Sequence, residues 1–208
     1  MTVSISHLVV AGWAGRHQAE VQHHIEELAK LGVPAPKSTP EFYKLSANRV
    51  TTDAAIQVMG SASSGEVEAV ILAWGGKLWV GVGSDHTDRE AERHGIALSK
   101  QLCEKPVAST FWAFEDLEAH WDRLELRSYI PEQGKNILYQ HGALSGLLPV
   151  AELISKHSDT KALADGTILF CGTVSAIGGI RPAPAFGMEL HDPVLKRTIS
   201  HHYVCHEL

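Results

Sequence analysis

Apolar residues fall along this chain in short clusters separated by glycine- and proline-rich breaks, a pattern that predicts many short strands and few helices. Val3 to Ala11, with Ile5, Leu8, Val9 and Val10, reads as a buried first strand broken by Gly12 and Gly15. From about Arg16 to Leu31 the period becomes helical. Val21, Ile25, Leu28 and Leu31 make one stripe, Gly32 is placed as C-cap and Pro34 lies just beyond. Gly32 to Pro40 then reads as an extended loop leading into Glu41-Phe42-Tyr43-Lys44, and Ile56 to Met59 as a short strand before the Ser/Gly-rich turn Gly60 to Gly65.

Gly65 to Asp85 is the most informative stretch. Gly65 to Leu72, polar at first and then apolar, and the apolar Leu78 to Asp85 lie on either side of Gly75-Gly76, whose tolerance of positive φ suits a tight reversal, so the pair predicts a hairpin. Thr87 to Leu102 reads as helical with Gly95 as an interruption, Val107 to Phe114 as an aromatic-rich strand, and Asp116 to Leu124 as a short helix with Leu117, Trp121 and Leu124 inward. Leu126 to Leu138 predicts strand, turn at Pro131-Glu132-Gln133-Gly134, and strand. Pro149 suits the first turn of a helix running to about His157. Thr167 to Val174 is a late apolar strand and Ile199 to Cys205 a last one. These elements predict a β-dominated α+β fold, in one domain spanning residues 1–208.

Composition narrows the function classes. With 44% hydrophobic and 20% charged residues the chain fits a folded globular protein, and a net charge of −6 argues against nucleic-acid and anionic-membrane partners. Three cysteines without a C-x-x-C suit reduced thiols in a cytoplasm. No basic region followed by an apolar run opens the chain, which predicts no secretory leader, and no apolar run reaches membrane-spanning length. Thirteen histidines keep metal chemistry and proton transfer in view.

The chemistry concentrates on the hairpin. Side chains alternate along a strand, so Glu66 and Glu68 share a face, and a cation between them relieves their mutual repulsion. Asp85, where the return strand ends, adds a third carboxylate. Three hard oxygen ligands suit Mg²⁺ or Mn²⁺, with Ca²⁺ a third candidate, while an edge strand with two solvated glutamates is the alternative. His24 and Glu27, three apart, can face each other on the first helix, and His17 with Glu20 fits the same spacing; packing is the competing role for either histidine. Arg89 fits either a surface salt bridge or a bidentate grip on a substrate carboxylate. His201, His202, Cys205 and His206 near the C-terminus are split between two faces by strand alternation, which argues against a zinc cluster.

Glu66-Val67-Glu68 followed by Asp85, Thr87 and Arg89 resembles the metal-binding core of the fumarylacetoacetate hydrolase superfamily. In that family a Glu-x-Glu strand and an Asp hold a divalent cation, with a Ser or Thr two residues on and an Arg four on. The resemblance extends to His24-Ile25-Glu26-Glu27-Leu28, similar to a His-x-x-Glu-Leu segment whose pair serves as general base. It also covers Lys44, in a Pro-x-Phe-x-Lys-like segment, Lys105 near the substrate, Gln140 on a strand reaching toward it, and Gly172-Thr173 ending the late strand. Lys44 and Gln140 equally read as a surface lysine and as a side chain bonded to neighbouring backbone. The family's Pro-Gly-Asp turn is replaced here by Met188 to Pro193.

The resemblance implies the mixed β-roll of the family's C-terminal domain, a homodimer, and metal-dependent action on a small 2-oxo acid. Hydrolysis of an acylpyruvate-type carbon–carbon bond is the first expectation. Dehydration, decarboxylation or isomerisation of a 2-keto acid are alternatives, and a non-enzymatic metal- or ligand-binding module is the contrasting class.

Overall fold

A computed structural model describes residues 3–30 and 35–208, the side chains of Glu20, His24, Glu27, Leu28 and Lys30 excepted. Two sheets dominate. The first runs in the order Trp112–Ala113, Lys77–Ser84, Val67–Trp74, Thr167–Thr173, His7–Gly12, Glu41–Leu45. Its pairs are antiparallel except His7–Gly12 with Thr167–Thr173, which are parallel. The second runs Lys135–Ala143, Glu125–Glu132, Ala185–Asp192, Arg197–Glu207, Ala55–Val58, with only the last pair parallel.

The burial of each strand follows from its layer. Val67–Trp74 is buried along nearly its whole length, because the first sheet is covered on both faces. Val9, Ala69, Ile71, Val80, Val82 and Leu169 join the main core toward the second sheet, where Leu126, Met188, Leu190, Ile199 and Tyr203 meet them. Leu8, Val10, Tyr43, Val70, Ile168 and Phe170 form a smaller cluster on the other face. Ala185–Asp192 alternates buried and part-exposed positions, as a sheet with one wet face requires.

The expected hairpin forms with strands Val67–Trp74 and Lys77–Ser84, and Gly75 and Gly76 both take positive φ (63° and 73°) in the turn between them. Gln133 and Gly134 make the equivalent two-residue turn, so Pro131 and Glu132 stay in the strand rather than turning. Helix α1 spans Gln18–Lys30 and α3 spans Val150–His157 with Pro149 as its N-cap.

Two further expectations are corrected. Thr87 to Leu102 is not one helix: Thr87–Asp88 pairs with Ser63–Ser64, a 3₁₀ turn covers Ala91–His94, and helix α2 spans only Ile96–Leu102. Gly95, at φ 137°, lies outside helical space and separates the two turns. Val107 to Phe114 is a strand only at Trp112–Ala113, because Val107 donates to the Thr51 carbonyl and Ala108 to that of Val82, two different segments. Met188 to Asp192, which stands in place of the family's Pro-Gly-Asp turn, is strand.

Candidate metal centre

The register that pairs Val67 with Ser84 sets Glu66 opposite Asp85, and the Asp85 N–H donates to the Glu66 carbonyl at 2.9 Å. Glu68 projects two residues on, opposite Gly83. One carboxylate oxygen from each of Glu66, Glu68 and Asp85 lies within 4.8 Å of the others, the only such His/Cys/Asp/Glu cluster among the described residues. The three carboxylates are therefore positioned to bind a divalent metal. Asp85 and Glu68 are buried (0% and 2% exposed) and Glu66 is partly open.

The strand across the sheet holds Glu68 from below. Thr167–Thr173 shifts register between Phe170 and Thr173, and Gly172 takes φ 96° there. Its N–H then donates to Glu68 Oε2 at 2.7 Å, and a Cβ at this position would come within 2.8 Å of that of Ala14. Thr173 Oγ1 donates to the carbonyl of Val67, between the two glutamates, at 2.8 Å.

Cations surround the cluster. Lys100 from α2 donates to Asp85 Oδ2 and lies 3.9 Å from Glu66 Oε2, with its ammonium 5.9 Å from the Tyr43 ring centre. Lys105 is fully buried; it donates to the carbonyls of His86 (2.7 Å), Cys103 (3.1 Å) and Lys100, and stands 3.5 Å from Asp85 Oδ1. Arg89 reaches Ser64 Oγ (2.7 Å), Glu92 (2.9 Å) and Glu66 (3.2 Å). Asp85 Oδ1 is buried with no hydrogen-bond partner among the described residues. Lys105 at 3.5 Å offsets part of the cost of that unbonded oxygen, and a directly coordinating cation would offset the rest. The donor set is all oxygen, as Mg²⁺, Mn²⁺ and Ca²⁺ prefer.

Electrostatics split the carboxylates. Burial, with the charges of Asp85 and Glu66, raises the Glu68 pKa well above the ordinary value despite Lys100 and the Gly172 N–H. Burial would raise Asp85 too, but Lys100 and Lys105 together outweigh it and its pKa falls. Burial lowers the Lys105 pKa, while for Lys100 the attraction of Asp85 and Glu66 overcomes burial and raises it.

Other expected site residues lie as follows. Gln140 is buried and fully occupied: its Oε1 accepts from the Val67 N–H (3.0 Å) and Ser128 Oγ (2.9 Å), and its Nε2 donates to Thr173 Oγ1 (2.8 Å) and the Val174 carbonyl (2.6 Å). That places it as a strut beneath the glutamates. Lys44 is exposed, and alternation turns it away from the side on which Tyr43 packs. His17 is exposed, whereas the side chains of His24 and Glu27 lie outside the described residues. His201 Nε2 approaches the Asp53 carbonyl and Cys205 Sγ approaches His86 Nε2, so these two serve separate neighbourhoods.

Two neighbours of the cluster escape sequence reasoning. Lys100 does so because α2 turns Ser99 and Lys100 inward and leaves Leu98 and Leu102 exposed, reversing the usual amphipathic rule. His86, next to Asp85, is buried between Tyr203 OH (2.9 Å from Nδ1) and Ser63 Oγ (2.8 Å from Nε2). Burial, then Lys105 and Arg89, lowers its pKa to about 3 and keeps it neutral. The adjacency to Asp85 is visible in sequence; its partners from distant strands are not.

Residues 11–203 match a family model described as "Protein of unknown function (DUF2848)". The chain belongs to this family. No curated protein matches it. Among solved structures, the crystal structure of Cg1458 superposes with a TM-score of 0.72 at 14% identity, covering 99% of this chain and 78% of that one. A 2-keto-3-deoxy-D-arabinonate dehydratase complexed with magnesium and 2,5-dioxopentanoate gives 0.68 at 17% identity, covering 99% and 75%. The 4-oxalocrotonate decarboxylase from Pseudomonas putida G7, complexed with magnesium and adipate, gives 0.58 at 14%, covering 95% and 77%. At such identities the likeness establishes a common β-dominated fold.

Proposed function

We propose that this family member is a divalent-metal-dependent lyase acting on a small 2-keto acid, by dehydration or decarboxylation. The observation that carries the reading is the convergence of Glu66, Glu68 and Asp85, with the orphaned Asp85 Oδ1 among them, on a fold shared with a dehydratase and a decarboxylase. That company supports elimination or decarboxylation over the acylpyruvate hydrolysis expected from the sequence. It also fits the resemblance to the fumarylacetoacetate hydrolase superfamily, its mixed β-roll and its homodimer, with residues 1–208 as one catalytic unit in the cytoplasm.

A divalent cation held by the three carboxylates would supply Lewis-acid stabilisation to the enolate that a 2-keto acid forms when a bond at its third carbon breaks. The remaining work belongs to the chain. Gly172 fixes the Glu68 carboxylate, and Lys100 and Lys105 keep Asp85 ionised. Arg89, held by Ser64 and Glu92 with Nη2 beside Glu66 but without a hydrogen bond among the described residues, is the donor proposed for an incoming carboxylate. His24 with Glu27 on α1 is the proposed proton acceptor, a carboxylate three residues on leaving one ring nitrogen free.

The test is a panel of 2-keto-3-deoxy sugar acids and unsaturated 2-keto diacids with Mg²⁺ or Mn²⁺, following loss of water, CO₂ release and pyruvate release separately. Metal-dependent turnover lost in Asp85→Asn supports the reading. Pyruvate and a carboxylic acid released together from an acylpyruvate, run beside the panel, would restore hydrolysis, and no turnover of any member would leave the binding-module class in its place.

A further inference from the structure

The ion pairs around the three carboxylates are unevenly shared. Asp85 has Lys100 and Lys105 beside it, and Glu66 has Arg89 and Lys100. Glu68 has the Gly172 N–H and no ion pair among the described residues. Lys100 alone touches two of the prospective metal ligands through one ammonium group, and it does so with only 8% of its side chain exposed. A lysine on a solvated helix face would not be directed so; α2 gives up burial of Leu98 and Leu102 to aim Lys100 at the cluster.

Two positive charges placed within a few ångströms of one another in a buried site repel strongly, since little water screens them. A divalent cation entering beside Asp85 and Glu66 therefore meets an ammonium already bonded to the other oxygen of Asp85, Oδ2, and 3.9 Å from Glu66 Oε2. Either the ammonium gives up its bonds or the two cations share them, and both reduce affinity. Once the cation is in, its charge with those of Arg89, Lys100 and Lys105 exceeds the charge of Glu66, Glu68, Asp85 and Glu92, and an anionic ligand offsets the surplus.

Building on the metal-dependent reading above, we propose that Lys100 is a built-in competitor of the metal. Its ammonium steadies Asp85 and Glu66 in the metal-free protein, weakens binding of the cation alone, and makes tight binding depend on an anionic 2-keto acid arriving with it. Metal and ligand are then coupled: each raises the affinity of the other by the same factor.

The experiment is calorimetric titration of Mn²⁺ into the full chain and into Lys100→Met, each with and without oxalate, alongside thermal melting in chelator. Lys100→Met should bind Mn²⁺ alone about tenfold or more tighter, as removal of a like charge from a buried site implies, and oxalate should tighten it much less than it does the unaltered chain. Its metal-free form should melt lower, because carboxylates lose their counter-ion, and Mn²⁺ should raise its melting point by more. Lys100→Gln, which keeps a donor for Asp85 and drops only the charge, carries the same comparison should the methionine variant not fold. Equal or weaker Mn²⁺ affinity in the uncharged variants would overturn the inference and make Lys100 a support for Asp85. Failure of the metal reading shows differently, as Mn²⁺ binding indifferent to Asp85→Asn.

Discussion

Asp85 has no exposed surface, yet its two oxygens face two lysines and its Oδ1 has no hydrogen bond, so its charge is committed to what surrounds it. Asp85→Asn keeps the shape and removes the charge. The expected result is a fall in stability of about 3 kcal/mol, the order seen when one partner of a buried pair is lost, together with loss of Mn²⁺ binding. Denaturant unfolding and calorimetry measure the two, and unchanged Mn²⁺ affinity would move the metal elsewhere. Glu68 behaves oppositely with pH. Its folded pKa lies above the ordinary 4.5, so the folded protein holds a proton that the unfolded chain has released. Stability without metal should therefore decline as pH rises from about 4.5 through the raised value. Mn²⁺ should reverse the decline by replacing that proton, whereas a metal-free stability flat or rising across this window would contradict the raised Glu68. The histidines divide by rate instead. His24→Ala should lower turnover about 10²–10⁴-fold with Mn²⁺ affinity intact, as loss of a general base does, and His17→Ala should change little. Equal small losses would return His24 to packing.

The elements that were legible in the sequence are those whose bonds are local. The hairpin announces itself through Gly75-Gly76, and with it the shared face of Glu66 and Glu68 and the position of Asp85. Gly76→Ala should cost roughly 1–2 kcal/mol, the strain of a side chain in left-handed space. A Cβ there meets nothing within 4 Å, so the loss should appear in denaturant midpoint with Mn²⁺ affinity unchanged; a weakened site would mean that turn strain reaches the carboxylates. Helix α2 falls within the expected helical span, but which face it buries is not legible, for a physical reason. Hydrophobic periodicity assumes that apolar residues point inward, and α2 instead spends its buried face on Ser99 and Lys100. The Val107 to Phe114 stretch failed likewise, since β-propensity records apolar, branched side chains but not which backbone will accept their hydrogen bonds.

Across the whole molecule, Gln140 joins the layers. It belongs to the second sheet yet bonds Val67, Thr173 and Val174 around the first. Gln140→Leu should cost about 1–3 kcal/mol for stranding buried partners and should weaken Mn²⁺ binding, because Val67 lies between two ligands. Unfolding without any change in Mn²⁺ affinity would reduce Gln140 to a purely structural strut. Such long-range bonds carry no local signal, and neither does the parallel pairing of His7–Gly12 with Thr167–Thr173. That pairing also governs how the chain is made. A nascent chain stopped before Thr167 already carries Glu66, Glu68 and Asp85, but Val67–Trp74 and His7–Gly12 then face an empty slot between them. Both would expose apolar strand edges to any other chain nearby. Gly172, which seats Glu68, emerges only with the missing strand, so the site is finished among the last parts of the first sheet. The strand that closes the exposed edge is thus the same one that seats Glu68.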